Sequence, residues 1–316
     1  MNQNIWQHAI LQDKKMKRKL ILIYTFILLI TLTACSLFQS EIDSVTDLLP
    51  RDSDVPGWIR DDSVIFYKGS DIKKYKREYH GQGIDRLSSC VYQSIDDPTI
   101  QIKLEIIKFS TVLNAYGFFS LKRGPGIFEV SEVNEYYSNA ISVIQIGEYA
   151  VFAETDKTDL LLKKELKTFV NIPLLYIGQN HMEDKLPDAL NVIKGFDGYG
   201  VLYSRKPYHK FRHVNRIYFT QWSWDNDTVD LFFNENDSFY DAYEIFKKSI
   251  DTNFIISSSD NTYSAFRKDQ DGKYSFISVE DRFVFGCWSV SNPDEGKKIL
   301  GELSSKISDY KKKGNK

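Results

Sequence analysis

A strand followed by a helix is written twice in this chain of 316 residues, the second copy 127 residues after the first. Ile100, Ile102, Leu104 and Ile106 alternate with Gln101, Lys103 and Glu105. That is the period of a half-buried antiparallel strand whose polar side meets water. Val229, Leu231 and Phe233 repeat Ile102, Leu104 and Ile106 at the same offset. Val112, Ala115, Tyr116 and Phe119 then match Phe239, Ala242, Tyr243 and Phe246, both sets at the i, i+3, i+4, i+7 spacing of a helix stripe. Ser110-Thr111 and Asp237-Ser238 supply N-cap side chains at the two helix starts.

The agreement continues with a drifting offset. Tyr149–Phe152 matches Arg282–Phe285, and each leads through a polar turn into a Lys-rich amphipathic helix, near 159–170 and 293–308. Leu49-Pro50 and Leu186-Pro187 open the two halves, and Trp58 corresponds to Phe196. Asp225-Asn226-Asp227 and Asp271-Gly272 are hairpin signals. The expected fold is α+β: two tandem repeats, each an antiparallel sheet with helices packed on one face. The expected parts are a signal at 1–34, a tether at 35–48, a first repeat at 49–172, a linker at 173–185, a second repeat at 186–308 and a basic tail at 309–316.

The N-terminus carries an address. Lys14, Lys15, Lys17, Arg18 and Lys19 precede a 13-residue apolar stretch, Leu20 to Leu32, and then Thr33-Ala34-Cys35. The stretch is short of the ~20 residues that span a bilayer and suits the core of a secretion signal. Charge, length, box and order together resemble the lipobox signal of bacterial lipoproteins. Met16–Cys35 alone makes a complete signal of this kind. The resemblance implies that Cys35 receives a diacylglycerol after cleavage before it. The protein would then be anchored in the cell envelope without spanning the membrane, on the outer membrane where one exists, since Ser36 rather than Asp follows. Acyl chains hold by burial, each CH₂ adding ~0.8 kcal/mol.

A weaker resemblance covers the first half. Leu49-Pro50, Pro56-Gly57-Trp58 and Asn114-Ala115-Tyr116-Gly117-Phe118-Phe119-Ser120 look like an uncharacterised family of bacterial secreted domains. It implies a secreted domain and no mechanism. The second half departs from it, with Glu244 in place of Gly117.

Charge excludes one class of partner. Residues 1–34 hold five of the 41 Lys and Arg and one of the 43 acids, which leaves 36 against 42, a formal net of −6. A nucleic-acid partner would call for a basic face. Lys311-Lys312-Lys313 and Lys316 read as a solvated tail.

Motifs for catalysis, metals and cofactors are weak. His209 and His213 are four apart, which serves one zinc ion on a helix but spans ~13 Å on a strand. Asp269-Gln270-Asp271-Gly272 opens like a calcium loop, with Glu280 at the twelfth place, but Lys273 stands where an oxygen ligand is needed, so a hairpin turn is expected. Gly195-Phe196-Asp197-Gly198-Tyr199-Gly200 leads into a strand and not the helix of a phosphate loop. Asp225, Asp227, Asp230, Glu235 and Asp237 read as turn and cap residues. Cys90 and Cys287 read as small buried residues, with a disulfide as the alternative. No catalytic residue, metal or cofactor is indicated.

One strand carries a binding expectation. Tyr218, Thr220, Trp222 and Trp224 share a face, opposite Ile217, Phe219, Gln221 and Ser223. If open, that face offers Tyr218, Trp222 and Trp224 as a platform for a sugar ring or a partner chain. The alternative is that it packs beneath the helix Ser238–Ile250. The expected function is a membrane-anchored extracytoplasmic binding or assembly module for an envelope protein or a glycan. The alternatives are an envelope hydrolase with a cleft between the lobes and a solute-binding lipoprotein.

Overall fold

The computed structural model describes residues 45–124, 131, 133–158, 160–178, 186–194, 200–207, 212–224, 227–259 and 262–314. Cys35 with the whole signal, Phe196 and His209 lie outside the described residues.

Two seven-stranded antiparallel sheets organise the chain. In the first, β1 (Trp58–Arg60) and β2 (Ile65–Lys68) both pair with β3 (Ile84–Ser94). β3 is followed in space by β4 (Gln101–Phe109), β7 (Tyr149–Glu154), β6 (Ile141–Ile146) and β5 (Val133–Tyr137). The second runs β8 (Leu202–Ser204), β9 (Ile217–Trp224), β10 (Asp227–Glu235), β14 (Phe283–Val290), β13 (Tyr274–Glu280), β12 (Thr262–Lys268), β11 (Ile255–Ser259). Helices α1 (Val112–Lys122) and α4 (Phe239–Ser249) follow β4 and β10. Helices α2 (Leu160–Ile177) and α5 (Pro293–Gly314) come after β7 and β14, and the short α3 is Leu190–Lys194. The order β3-β4-β7-β6-β5 thus recurs as β9-β10-β14-β13-β12, and the duplication is one of topology as well as of sequence.

Strand pairing measures the repeat without reference to side-chain likeness. Ile106 lies opposite Val151 and Phe233 opposite Phe285, so β7 and β14 correspond at 134 residues (285 − 151). The sequence match set Tyr149 against Arg282, one residue short. A slip of one turns every side chain to the other face, and both strands are apolar on both faces, which hides it. Ser88 faces Ile106 as Tyr218 faces Phe233, an offset of 130 (218 − 88). Phe66 faces Ser88 as Tyr203 faces Tyr218, an offset of 137 (203 − 66). That last spacing is also that of the two Leu-Pro openings.

Local chemistry sets the helix starts. Thr111 Oγ1 accepts from the Asn114 N–H at 3.2 Å, and Ser238 Oγ accepts from the Asp241 N–H at 3.1 Å. The helix ends differ from expectation. α2 runs on through Pro173 to Ile177, into the stretch read as a linker. α5 runs to Gly314, so the Lys311–Lys313 run lies on its last turn, where cations suit the helix dipole. Lys311 pairs with Asp281 at 3.0 Å. The end of the expected tether is a 3₁₀ turn, Val45–Leu48.

Helices occupy both faces of each sheet. Phe118 of α1 meets Phe152, which shares a face with Ile107; Phe169 of α2 meets Tyr92, which shares the opposite face with Ile102. In the second half Phe246 of α4 packs with Phe232, Val284 and Trp288, whereas Ile299 and Leu303 of α5 pack with Phe233, Phe283 and Phe285. Strands sandwiched in this way need apolar residues at consecutive positions, as Ile106-Ile107 and Phe232-Phe233 provide. The α1 face of the first sheet and the α5 face of the second join in one buried cluster.

The two halves meet backbone to backbone at Gly117 of α1. A Cβ there would stand 2.7 Å from Tyr203 Cδ1 and 3.1 Å from the Tyr203 carbonyl oxygen of β8. In the second half the matching residue, Glu244, is half-buried and pairs with Lys247 at 3.0 Å. Gly117→Ala should therefore lower stability by about 1–3 kcal/mol through overpacking, although alanine is the better helix former by ~1 kcal/mol. Glu244→Ala should stay within ~0.5 kcal/mol. Denaturant unfolding of both variants checks the pair; equal effects would remove the close crossing as the reason for the glycine.

Candidate functional site

The expected aromatic platform faces inward. Tyr218 is buried, its ring 5.1 Å from Tyr203 and 5.8 Å from Phe233. Thr220 is buried, and Trp222 is half-buried against the shared core. Trp224 ends β9, and its side chain lies outside the described residues. The helix 239–249 covers the other face of this strand, where Phe219 and Ile217 cluster with Phe246. The offset of 130 explains the inward turn. Trp222 takes the place of Tyr92, whose ring packs 4.7 Å from Phe169 beneath the last helix of the first half.

An exposed aromatic surface lies instead on α4. Phe239 is 38% exposed and Tyr240 70%. Phe239 stacks on Tyr243 at 5.7 Å, and Tyr243 lies 4.9 Å from Tyr263 of β12. Ile256 of β11 is exposed and shares a sheet face with Tyr263, since it pairs with Ala265. The helical stripe Phe239, Ala242, Tyr243, Phe246 marks the buried side, and Tyr240 falls off it. The adjacent aromatics Phe239-Tyr240 were the available sign that the helix has a second apolar side.

Among the described residues, an ionisable cluster surrounds Glu105, which is 0% exposed. Tyr75 Oη donates to Oε1 at 2.7 Å and Tyr79 Oη donates to Oε2. Lys76 and Lys103 stand 2.9 and 3.0 Å from Oε1. Burial alone would raise the pKa of this carboxyl, but the Tyr79 hydrogen bond and the two lysines more than offset it and hold the group ionised below its usual range. Burial and the Glu105 charge push both phenols up. Three donors converge on Oε1 and Tyr79 holds Oε2, an arrangement that suits a clamp and not a proton shuttle. The alternation of β4 had placed Glu105 on a solvent face. Ile106-Ile107 breaks that alternation and was the sign that both faces are covered.

The remaining candidates sort plainly. Cys90 and Cys287 are both free and buried. Burial raises the Cys90 thiol to about 11 and pushes Cys287 higher still, so neither is a ready thiolate. Asp227 accepts from Ser291, Asp230 from Gln221 at 3.1 Å, and Glu235 pairs with Arg282 at 2.7 Å. Asp269–Gly272 is the β12–β13 turn, with Gly272 at φ +84° and the Asp269 N–H on the Lys273 carbonyl. His213 lines a surface cleft with Arg212, Lys248 and Arg267. Among the described residues no cluster of three His, Cys, Asp or Glu could hold a metal, and no helix is long and apolar enough to cross a membrane.

Two further clefts lie where the halves meet. One, of about 410 Å³, has Leu113 of α1 on one side and Tyr203, Arg216, Tyr218, Glu235 and Arg282 on the other. The Tyr218 edge reaches this cleft, although its ring is in the core. Arg216 holds a left-handed φ of +51°, braced by Asn234 Nδ2 donating to the Asn215 carbonyl at 2.7 Å. The other, of about 380 Å³, joins Lys73, Tyr79, His80 and Gly83 of the first half to Arg205 of the second. Each of the three clefts receives an arginine from the segment 205–216, which has five Lys and Arg and no acid. That charge run is visible in the sequence around His209 and His213.

No family model matches the chain, and no curated protein matches it. Among solved structures, the extracellular domain of PknH from Mycobacterium tuberculosis aligns over 84% of this chain and 94% of its own, at 9% identity and a TM-score of 0.19. A likeness that slight carries no argument about fold or function.

The Glu105 clamp has a pH signature. Its folded pKa lies below the unfolded value, so its stabilisation is complete above the ordinary carboxylate range and is lost as pH falls through the folded pKa. Glu105→Gln should cost about 3 kcal/mol at neutral pH and flatten the acid limb of stability against pH. Urea midpoints taken across that limb test this; an unchanged acid slope would mean the carboxyl carries no linkage.

Proposed function

We propose that this chain is a lipid-anchored, extracytoplasmic binding module for an envelope protein or a glycan. The anchoring part rests on the basic run, the apolar stretch and Cys35 in lipobox order. The binding part rests on one observation, the exposed Phe239 and Tyr240 at the start of α4, with Phe239 stacked on the half-buried Tyr243 beside Tyr263. Flat rings give large contact area at low conformational cost, and such residues dominate interface energies. An isolated exposed ring needs no explanation, but two adjacent exposed rings on α4, with the exposed Ile256 on the sheet face of Tyr263, mark an interaction surface. Binding is preferred to hydrolysis because the buried carboxylate and the two buried thiols are committed to the fold. Glu105 is held by four donors, and both cysteines of the folded part are held as buried thiols.

Two outcomes follow. Metabolic labelling with a fatty-acid analogue should tag the wild-type chain and leave Cys35→Ala untagged; equal labelling would reject Cys35 as the acylated residue. In-cell crosslinking, with detergent purification and mass spectrometry, should recover a stoichiometric envelope protein or glycan fragment. Phe239→Ala with Tyr240→Ala should reduce that recovery at least tenfold, as expected for aromatic hot spots of ~2 kcal/mol or more. Undiminished recovery would place the contact elsewhere.

A further inference from the structure

The cleft of about 380 Å³ is built from equivalent connections of the two repeats. The β2–β3 connection supplies Ser70, Lys73, His80 and Gly81, and the first residue past β8 supplies Arg205. No Asp or Glu lines this cleft. Among the described residues no carboxylate stands at ion-pair distance from Lys73, His80 or Arg205. Lys206 lies beside Gly81 and adds a further positive charge. The mature chain has a formal net of −6, so these cations are gathered against the overall balance.

The backbone is shaped to the same end. Gly81 and Gly83 both hold φ +76°, a conformation that glycine adopts without strain. A side chain at Gly83 would collide with the Arg205 guanidinium and the Asn114 amide, so its absence lets Arg205 lie across the seam. The other two clefts differ. Acids line both of them: Asp251 pairs with Arg267 at 2.8 Å in one, and Glu235 pairs with Arg282 in the other, where Asp237 also stands.

We propose that this seam cleft binds an oxyanion, a phosphate or carboxylate borne by a small polar molecule such as a sugar phosphate or a sugar acid. Arg205 offers the planar fork that grips such a group in two places, Lys73 a mobile point charge, and Ser70 a hydroxyl. The volume falls within the ~300–1,000 Å³ of small-molecule sites. The site is separate from the aromatic surface on α4 and does not depend on the role proposed for it.

Calorimetric titration of the full chain in detergent micelles at low salt tests this, with glucose 6-phosphate, glucuronate and glucose as probes. Saturable binding of one or both anionic sugars, and none of glucose, is expected. Glucose 6-phosphate alone would identify a phosphate site, and glucuronate alone a carboxylate site. Arg205→Gln should weaken binding about tenfold or more, the cost of losing a charged hydrogen bond. Lys73→Gln, an exposed change that leaves the fold intact, should weaken it in the same direction. Arg267→Gln and the Phe239→Ala, Tyr240→Ala pair should leave it unchanged. Absence of binding by both anionic sugars, or binding indifferent to both Arg205→Gln and Lys73→Gln, would overturn the site.

Discussion

The backbone of β8 lies across α1 at Gly117, and much of the molecule follows from that crossing. Tyr203 N–H donates to Ser120 Oγ at 3.1 Å, and Tyr116 Oη donates to the Val201 carbonyl at 2.5 Å. An edge strand of the second sheet is thereby satisfied by a helix of the first half, which closes an edge that would otherwise be open to other chains. The same contact brings the α1 face of one sheet and the α5 face of the other into one core. Lobes joined through a core differ from lobes joined by a hinge. The clefts along their seam border that core, through Tyr79 and Ile84 in one and Tyr203 and Tyr218 in the other.

Duplication then allows one position to be compared in two settings. At the offset of 127, Glu105 corresponds to Phe232. The first copy holds its buried position with a carboxylate, two phenols and two lysines; the second fills it with a ring packed 5.7 Å from Trp288. Buried ionic networks and apolar packing are often close in net stability, so the difference calls for a local reason. The network ties the segment from Gly69 to Tyr79 down onto the sheet. That segment forms one wall of the cationic cleft. The Gly117 and Glu244 positions diverge for a similar reason, since a strand crosses only the first of them.

The repeat, the antiparallel strands, the caps and the hairpins were readable because each has a local signal: a period, a hydroxyl before a stripe, a polar turn. What was not readable depended on which face met which neighbour. The Tyr218–Trp222 face looks the same in sequence whether open or covered, and the last helix of the second half covers it. Pro173 suggested an end to α2, but buried Phe169, Val170 and Ile177 carry the helix through it. The aromatic surface and the cationic cleft left only weak traces, a pair of adjacent rings and a run without acids. Each becomes a site only when the fold sets it beside residues distant in the chain.

The central claim is that the two repeats share one core and open as one unit. Hydrogen exchange of the full chain, followed by mass spectrometry on peptides covering β6–β7 and β13–β14, tests it directly. The account predicts the same opening free energy for both, because neither sheet can lose the shared face alone. Opening of the first-half strands several kcal/mol below the second would contradict it. The repeats would then be separately stable lobes, and the seam a hinge.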